Sequence, residues 1–203
     1  MKLFTLPGAC STADHIALQW TGQPFEVEVL TPEKFKSPDY LALNPAGTVP
    51  ALKDDDFLLT QNVAILNYVG DTYPDARLFG DGSARQRAET TRWLMLCNAD
   101  MQPVFGTFFA PMSYIADPAQ HSSLHASSYL KLRRLFERAD AQLDRRDWLT
   151  GFRSVADAYL FIMLRWAAAF QVDLEGLANL ALFRRRMQQD AGVQAALQAE
   201  GLA

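Results

Sequence analysis

The sequence contains few cysteines and no long apolar segment. Two cysteines among 203 residues, Cys10 and Cys97, are too few for a disulfide framework and favour a reducing compartment such as the cytoplasm. No apolar run approaches the roughly 20 residues needed to span a bilayer, and the N-terminus lacks the basic and apolar regions of a secretory signal. Lys and Arg number 19 against 23 Asp and Glu, without a basic stripe. We therefore expect a cytoplasmic globular protein that contacts neither a membrane nor nucleic acid.

The first third of the chain alternates strand-like and helix-like segments. Residues 25–30 alternate apolar and acidic side chains, the period of a half-buried strand, and two short runs around three aspartates predict a hairpin. The predicted elements are strand 2–6, helix 11–22 ended by Gly22, strand 25–30, a loop with a helical turn at 39–43, hairpin strands 51–53 and 57–60, and helix 61–73. This order predicts a compact α/β domain over residues 1–77.

Beyond a short glycine-containing linker at 78–82, the strand patterns end and helical periodicity begins. The predicted helices are 84–109, 125–143, 155–170, 177–189 and 193–200. The segment 155–170 is apolar on nearly all sides, which is typical of a buried central helix. Residues 84–203 are therefore predicted to form an all-helical domain, and the fold class is α/β followed by all-α.

Cys10 follows the first predicted strand and immediately precedes the first predicted helix. At such a turn, unpaired backbone N–H groups and the helix dipole favour negative charge, and they can lower a thiol pKa from about 8.5 to roughly 3.5–7.5. Cys10 is thus a candidate reactive thiol, or a group that holds the thiolate of a ligand. The alternative is that Cys10 is a small buried apolar residue.

Two further segments suggest an extended ligand that carries a carboxylate. A cis Val49–Pro50 bond at the entrance to a strand would turn the N–H and C=O of Val49 away from the sheet, toward an extended peptide. Gln61 and Asn62 occupy a predicted helix N-terminus, a position that suits a carboxylate. For Asn62 the alternative is a simple helix cap.

Five segments carry a resemblance to a known family: Gly8-Ala-Cys-Ser11, Asn44-Pro through Val49-Pro-Ala-Leu52, Thr60-Gln-Asn-Val-Ala-Ile65, Phe109-Ala-Pro111 and Ser154-Val-Ala-Asp-Ala158. In this order and spacing the chain resembles the glutathione transferase superfamily over its whole length, most closely the bacterial beta-type members. The resemblance implies a thioredoxin-like N-terminal domain, a helical C-terminal domain that contributes the electrophile site and dimer contacts, and a homodimer. It also implies glutathione as co-substrate and no metal.

The resemblance assigns roles to individual residues. The catalytic candidates are Cys10 and Ser11, either of which would contact the glutathione sulfur. The glutathione-binding candidates are Lys36 (or Lys34 in its place), Val49, a cis Pro50, Gln61, Asn62, Asp100 and Gln102. Val49 would pair with the cysteinyl part of glutathione. Gln61 and Asn62 would hold its γ-glutamyl end, and the lysine would neutralise its glycyl carboxylate.

Two positions depart from the family pattern. Gln102 stands where beta-type members often carry a histidine near the thiol, so a histidine general base is missing. Ala46 stands where relatives often carry a basic residue, which removes a possible ligand charge.

The remaining polar motifs are expected to be structural. His15 is interpreted as a structural residue of the first helix, whereas His121 and His125 are expected between helices. Ser154 and Asp157 match the buried capping pair of the family, in which the Asp carboxylate reaches back to the Ser N–H. We interpret this pair as folding chemistry rather than catalysis.

The function implied is conjugation of the glutathione thiolate to small hydrophobic electrophiles, a detoxification reaction. Candidates for the apolar wall of the electrophile site are Phe105, Phe108, Phe109 and Met112, with core packing as the alternative. Two other functions stay open. One is a glutathione-dependent thiol–disulfide oxidoreductase through Cys10, which would lack a local partner because position 13 is Ala13. The other is a non-catalytic glutathione-binding stress protein.

Overall fold

The N-terminal part of the chain forms one four-stranded sheet. The structure is a computed structural model, and it describes residues 1–202. The strands are β1 (Lys2–Thr5), β2 (Glu26–Val29), β3 (Ala51–Asp54) and β4 (Phe57–Thr60), and their order in the sheet is β2-β1-β3-β4. β1 runs parallel to β2, while β3 is antiparallel to both β1 and β4. In this register Leu3 lies opposite Val27 on one side and Leu52 on the other.

Helices make up the rest of the fold. They are α1 (Ser11–Thr21), α2 (Pro32–Phe35), α3 (Pro38–Leu43), α4 (Asn62–Thr72), α5 (Ala84–Met95), α6 (Gln102–Phe109), α7 (His121–Gln142), α8 (Val155–Ala169), α9 (Ala178–Gln189) and α10 (Ala191–Ala199). A π-helical segment, Leu96–Met101, joins α5 to α6. No helix in the described residues is long and apolar enough to cross a bilayer.

Helix α1 lies at the centre of the molecule and is buried along nearly its whole length. It packs against α4 of the N-terminal part and against α8 and α10 of the helical part. One continuous apolar core therefore runs from the sheet, through Ile16, to Phe161 of α8. Helix α1 ends at Gly22, whose φ of 66° is the left-handed conformation that glycine adopts without strain. This placement holds the residues at the start of α1 rigidly between the two parts of the fold.

The buried helix α8 begins at the predicted capping pair. Asp157 accepts hydrogen bonds from the backbone N–H (2.8 Å) and the hydroxyl (2.9 Å) of Ser154. Its other oxygen accepts from the N–H of Leu149 at 3.0 Å. Burial raises the pKa of the Asp157 carboxyl to about 7, although these hydrogen bonds act in the opposite direction. The predicted capping box is confirmed, and it also ties the preceding loop to α8.

The fold class is as predicted, and three local features differ. Helix α2 lies in a predicted loop and begins at Pro32, because the Thr31 hydroxyl accepts from the N–H of Lys34 at 3.3 Å. The predicted continuous helix 84–109 is interrupted by the π-helical segment. His121 and His125 lie on α7 rather than between helices, since α7 begins four residues earlier than the periodicity indicated.

Candidate active site

Cys10 lies at the end of the loop between β1 and α1. Cys10 is the residue before the first turn of α1, and it is 8% exposed. Its Sγ lies 3.8 Å from the carbonyl oxygen of Val49, to which it donates. The Val49–Pro50 bond is cis, as predicted. Thus the thiol loop and the Val49–Pro50 segment, 39 residues apart in sequence, face each other at one edge of the sheet.

The ionisation of Cys10 is opposite to the prediction. Burial, followed by the negative charge of Asp14, raises the pKa of the Cys10 thiol to about 12. Hydrogen bonds from the Gln102 side chain and from the backbone at Cys10 and Ser11 favour the thiolate, but their combined effect is smaller. The helix N-terminus therefore fails to overcome desolvation, and Cys10 is a neutral thiol that can donate a hydrogen bond. The second cysteine, Cys97, is fully buried, and both thiols are free.

A buried polar pair lies behind Cys10. The amide nitrogen of Asn62 donates to the carbonyl oxygen of Cys10 at 2.9 Å and to Oδ2 of Asp14 at 2.7 Å. Burial raises the pKa of the Asp14 carboxyl well above its usual value. The Asn62 side chain therefore does not cap α4, and its amide nitrogen donates inside the fold. Its binding of glutathione stays a prediction. The Asn62 side chain fastens the start of α4 to the start of α1.

Gln61 occupies the N-cap position of α4 in an unusual backbone conformation. Its φ is 75° and its ψ is 115°, and its exposed side chain makes no capping hydrogen bond. Positive φ in a residue other than glycine costs free energy and is concentrated at functional positions. Gln61 thus remains available to a ligand at a helix N-terminus, where backbone N–H groups are unpaired.

Ser11, a predicted catalytic residue, is held by hydrogen bonds inside the fold. Ser11 is fully buried, and its hydroxyl accepts from the N–H of Leu6 (3.3 Å) and pairs with the Thr5 hydroxyl at 2.8 Å. Contact with a glutathione sulfur would require the side chain to leave this pair. The geometry does not support a catalytic role for Ser11, because its hydrogen-bonding capacity is already used inside the fold.

A buried carboxylate from the helical part holds the thiol loop in place. Glu200, which directly follows α10, accepts at Oε1 from the Thr5 hydroxyl (3.1 Å) and contacts Nδ1 of His15 (2.9 Å). Its Oε2 accepts from the N–H of Gly8 at 3.3 Å and from the Thr12 hydroxyl at 2.7 Å. We call these five residues the Glu200 network. His15 is therefore structural, as expected, and the loop that carries Cys10 is fixed by a residue 192 positions away from Gly8.

Gln102 approaches the thiol from the first residue of α6. Its side-chain oxygen accepts from the hydroxyl of Tyr159, in a short contact, and from the amide of Asn98 at 3.4 Å. The Asn98 amide also donates to the Tyr159 hydroxyl at 3.0 Å. Asp100, in the π-helical segment, is exposed and forms no hydrogen bond or ion pair within residues 1–202. Of these two glutathione-binding candidates, Gln102 is the one whose side chain lowers the pKa of the Cys10 thiol.

An aromatic wall adjoins the thiol loop. Trp166 donates from Nε1 to the carbonyl oxygen of Gly8 at 2.7 Å, and Phe109 lies edge-on against its ring, with centroids 4.9 Å apart. Phe109 and Met112 are 56% and 58% exposed, and Phe108 is half-buried. Phe105 is fully buried, so core packing accounts for it. Three of the four predicted wall residues therefore stay accessible.

The two candidate lysines differ in their partners. Lys34 lies 4.0 Å from a carboxylate oxygen of Glu28, whereas exposed Lys36 forms no ion pair within the described part of the chain. Lys36 is therefore the lysine whose charge stays unpaired.

Sequence reasoning missed Asn98, Tyr159 and Glu200. In the sequence, Tyr159 resembles the other large residues of a buried helix, and Glu200 resembles an exposed acidic residue at the end of a helix. The contact of Tyr159 with Gln102 and that of Glu200 with Gly8 join residues far apart in sequence, so no local pattern could have identified them.

Comparison with known proteins gives a consistent result. The family described as "Glutathione S-transferase, N-terminal domain" matches residues 1–71. The chain is 54% identical to glutathione S-transferase GST-4.5 of Xanthomonas campestris pv. campestris, with 100% of both sequences covered. A glutathione S-transferase structure from Xylella fastidiosa has a TM-score of 0.95 at 49% identity, covering 100% of this chain and 99% of that one. A sphingomonad glutathione S-transferase complexed with glutathione has a TM-score of 0.86 at 35% identity, with 100% of both chains covered.

A thioredoxin-like sheet followed by a helical region matches the glutathione transferase fold. The chain belongs to the glutathione S-transferase family. It is accordingly a transferase that uses glutathione.

Proposed function

We propose that this chain conjugates glutathione to small hydrophobic electrophiles in detoxification, and that it does so as a cytoplasmic homodimer. The observation that carries the chemistry is the Cys10 thiol at the start of α1, which donates to the carbonyl oxygen of Val49 at 3.8 Å. Burial raises its pKa, which favours a hydrogen-bond donor over a nucleophile. The glutathione thiol would lose its proton to water, and the thiolate would attack an electrophilic carbon. A C–S bond would form, and a leaving group such as chloride would depart with the bonding electrons. The S–H group of Cys10 would donate a hydrogen bond to the glutathione thiolate, keeping its own proton. This would stabilise the thiolate and so lower the pKa of the glutathione thiol.

The ends of glutathione would be held by charge and backbone groups. The γ-glutamyl carboxylate would lie at the N-terminus of α4 beside Gln61, where N–H groups lack helical partners. The N–H and C=O of Val49 would pair with the cysteinyl part, and the unpaired charge of Lys36 would meet the glycyl carboxylate. The electrophile would lie against Phe108, Phe109 and Met112, next to the thiol loop.

The homodimer has a candidate surface in the N-terminal part. Exposed Phe57 on β4 packs against Tyr68 of α4, with ring centroids 5.5 Å apart. Phe57 is exposed and Tyr68 is half-buried, and an apolar surface of this kind suits an interface. Light scattering of the purified protein measures the mass and so tests the homodimer. Asp100, exposed in the π-helical segment, would contact glutathione from the partner subunit, since no contact within the described residues joins its side chain to Cys10.

The test compares two activities in a Cys10→Ser variant. Conjugation of glutathione to a chlorinated aromatic should persist at a measurable rate, because a serine hydroxyl also donates a hydrogen bond. Reduction of a mixed disulfide through residue 10 should be absent, because a hydroxyl cannot form the disulfide intermediate. Cys97→Ala serves as the control for loss of a cysteine remote from the site. Loss of conjugation, together with efficient wild-type disulfide exchange that the variant abolishes, would favour the oxidoreductase. Glutathione binding with neither activity would favour the non-catalytic function.

A further inference from the structure

We propose that a cavity between α8 and α9 binds a small amphipathic carboxylate, such as a free fatty acid of medium chain length. The cavity has a volume of about 390 Å³, within the range of about 300–1,000 Å³ that is typical of small-molecule sites. Within residues 1–202, its lining includes neither Cys10 nor a residue of the aromatic wall. The cavity is therefore separate from the candidate active site, and this inference does not rest on the proposed function.

The floor of the cavity is apolar. Its leucines come from α8, from the loop after α8 and from the start of α9, and they are Leu164, Leu174, Leu177 and Leu180. Leu164 and Leu180 are 3% and 2% exposed, so the floor is continuous with the core of the molecule. An apolar group placed on this floor leaves water, which is the main driving force for apolar binding.

One face of α9 changes from apolar to cationic along the cavity. Leu177 and Ala181 lie toward its start, and Arg184, Arg185 and Gln188 follow on the same face at helical spacing. With a rise of about 1.5 Å per residue, Leu177 and Arg185 are about 12 Å apart along the helix. A ligand on this face would meet apolar side chains at one end and guanidinium groups at the other. This gradient matches an apolar chain that ends in a carboxylate, the group that arginine binds in bidentate geometry.

The two arginines of the cavity have no acidic partner. Arg184 and Arg185 are exposed, and neither forms a hydrogen bond or an ion pair within the described part of the chain. The next residue, Arg186, differs from them because it pairs with the carboxylate of Asp147 and donates to the Asp147 carbonyl oxygen at 2.8 Å. The two charges that line the cavity are therefore free to bind an anion.

Arg165 adds a third positive charge beside the cavity. It follows Leu164 on α8 and is half-buried. Burial and then the positive charge of Arg184 lower the pKa of the Arg165 guanidinium, and the charge of Glu200 acts in the opposite direction. Both oxygens of Glu200 are already used by the Glu200 network. A ligand carboxylate would therefore supply the negative charge that these arginines lack.

The walls of the cavity are fixed by helix α7. Arg133 donates to the carbonyl oxygens of Asp173 (3.1 Å) and Glu175 (2.9 Å) in the loop between α8 and α9. Asp140 accepts from the N–H of Leu180 at 2.9 Å and so holds the start of α9. The carboxylates of Asp173 and Glu175 do not line the cavity. A site with walls held in this way loses little conformational freedom when a ligand binds.

Titration calorimetry with decanoate, kept below its micelle concentration, tests the proposal. Saturating S-hexylglutathione is present throughout, so that the glutathione site and the adjoining aromatic wall are already occupied. We expect one decanoate to bind per chain. Decyltrimethylammonium, which has the same chain and the opposite charge, should bind at least about 10-fold more weakly, because it cannot pair with arginine.

Variants at exposed positions separate charge recognition from the apolar cavity. Arg184→Gln and Arg185→Gln should each raise the Kd for decanoate about 3- to 10-fold, through the loss of about one hydrogen bond to a charged group. Ala181→Phe should abolish binding without a change of charge, because the ring fills the cavity. Arg85→Gln is the control, since Arg85 is an exposed arginine of α5 that does not line this cavity. All four positions are exposed, so the fold should be retained.

Several results would overturn the proposal. Competition between decanoate and S-hexylglutathione would place the carboxylate at the electrophile wall instead. Equal binding of decyltrimethylammonium, or wild-type affinity in both arginine variants, would show that the arginines do not recognise the anion. Binding to phosphatidylglycerol vesicles without binding to free decanoate would identify a membrane surface rather than a cavity ligand. Conjugation of glutathione should proceed at the wild-type rate in all these variants, so a failure of this inference leaves the proposed function untouched.

Discussion

Replacing Glu200 by alanine removes the acceptor that holds the thiol loop. Its carboxylate contacts four groups, from Thr5, Gly8, Thr12 and His15, in a fully buried position. A buried donor left without its acceptor costs about 1–3 kcal/mol, so losing an acceptor shared by four groups should cost about 3–5 kcal/mol once the hydroxyls rearrange. We expect Glu200→Ala to lower the free energy of unfolding by this amount. For a chain of this length that corresponds to a fall in Tm of roughly 6–20 °C.

Urea denaturation followed by tryptophan fluorescence measures the loss. Glu175→Ala is the matched control, because Glu175 is exposed and its side chain forms no ion pair within residues 1–202. Its effect should stay within about 0.5 kcal/mol. The loss of unfolding free energy in Glu200→Gln should lie between the losses in Glu200→Ala and Glu175→Ala, since an amide oxygen retains part of the accepting capacity. A loss below about 1 kcal/mol for Glu200→Ala would refute the reasoning, and would mean that hydration or rearranged hydroxyls replace the carboxylate.

Two further substitutions test the buried polar groups. The pKa of Asp157, about 7 in the folded chain, exceeds its unfolded value of about 3.9. Its contribution to stability is therefore present below about pH 4 and is lost as the pH rises to about 7. Between pH 4.5 and pH 7.5 the free energy of unfolding from urea denaturation should fall more for wild type than for Asp157→Asn, by roughly 1–4 kcal/mol. Parallel pH profiles of the two proteins would contradict this. Asn62→Ala should lower stability by about 1–3 kcal/mol, because Asp14 and the Cys10 carbonyl lose a buried donor, and should change glutathione affinity little. Calorimetry beside a melting curve checks this, and weaker binding at unchanged stability would contradict it.

Local sequence patterns predicted most of the fold because they report local physics. The alternation at 25–30 and the hairpin at 51–60 arise from which face of a strand is buried, and both elements are present. Gly22 predicts the end of α1 through its own backbone freedom. The π-helical segment between α5 and α6 could not be predicted from the sequence pattern, because apolar residues recur there at spacings that an α-helix also satisfies.

The candidate site was predicted less completely, because its electrostatics depend on burial. The turn before α1 predicts a low pKa for Cys10, yet desolvation inside the assembled core exceeds the effect of the helix N-terminus. Asn62 was placed correctly at the start of α4, but the direction of its side chain depends on Asp14 of another helix. Such outcomes follow from tertiary packing, which a motif and its spacing do not contain.

The Glu200 network also has a consequence for the order of events during synthesis. The ribosome adds about 5–20 residues each second. The 192 positions between Gly8 and Glu200 therefore take roughly 10–40 s to translate at that rate. Throughout that interval the thiol loop exists without the carboxylate that fixes it, and for nearly all of it α1 lacks α10, one of the helices that cover it. The thiol loop is thus made long before it can reach its working shape, so a nascent chain does not carry a finished thiol site until Glu200, after α10, has emerged.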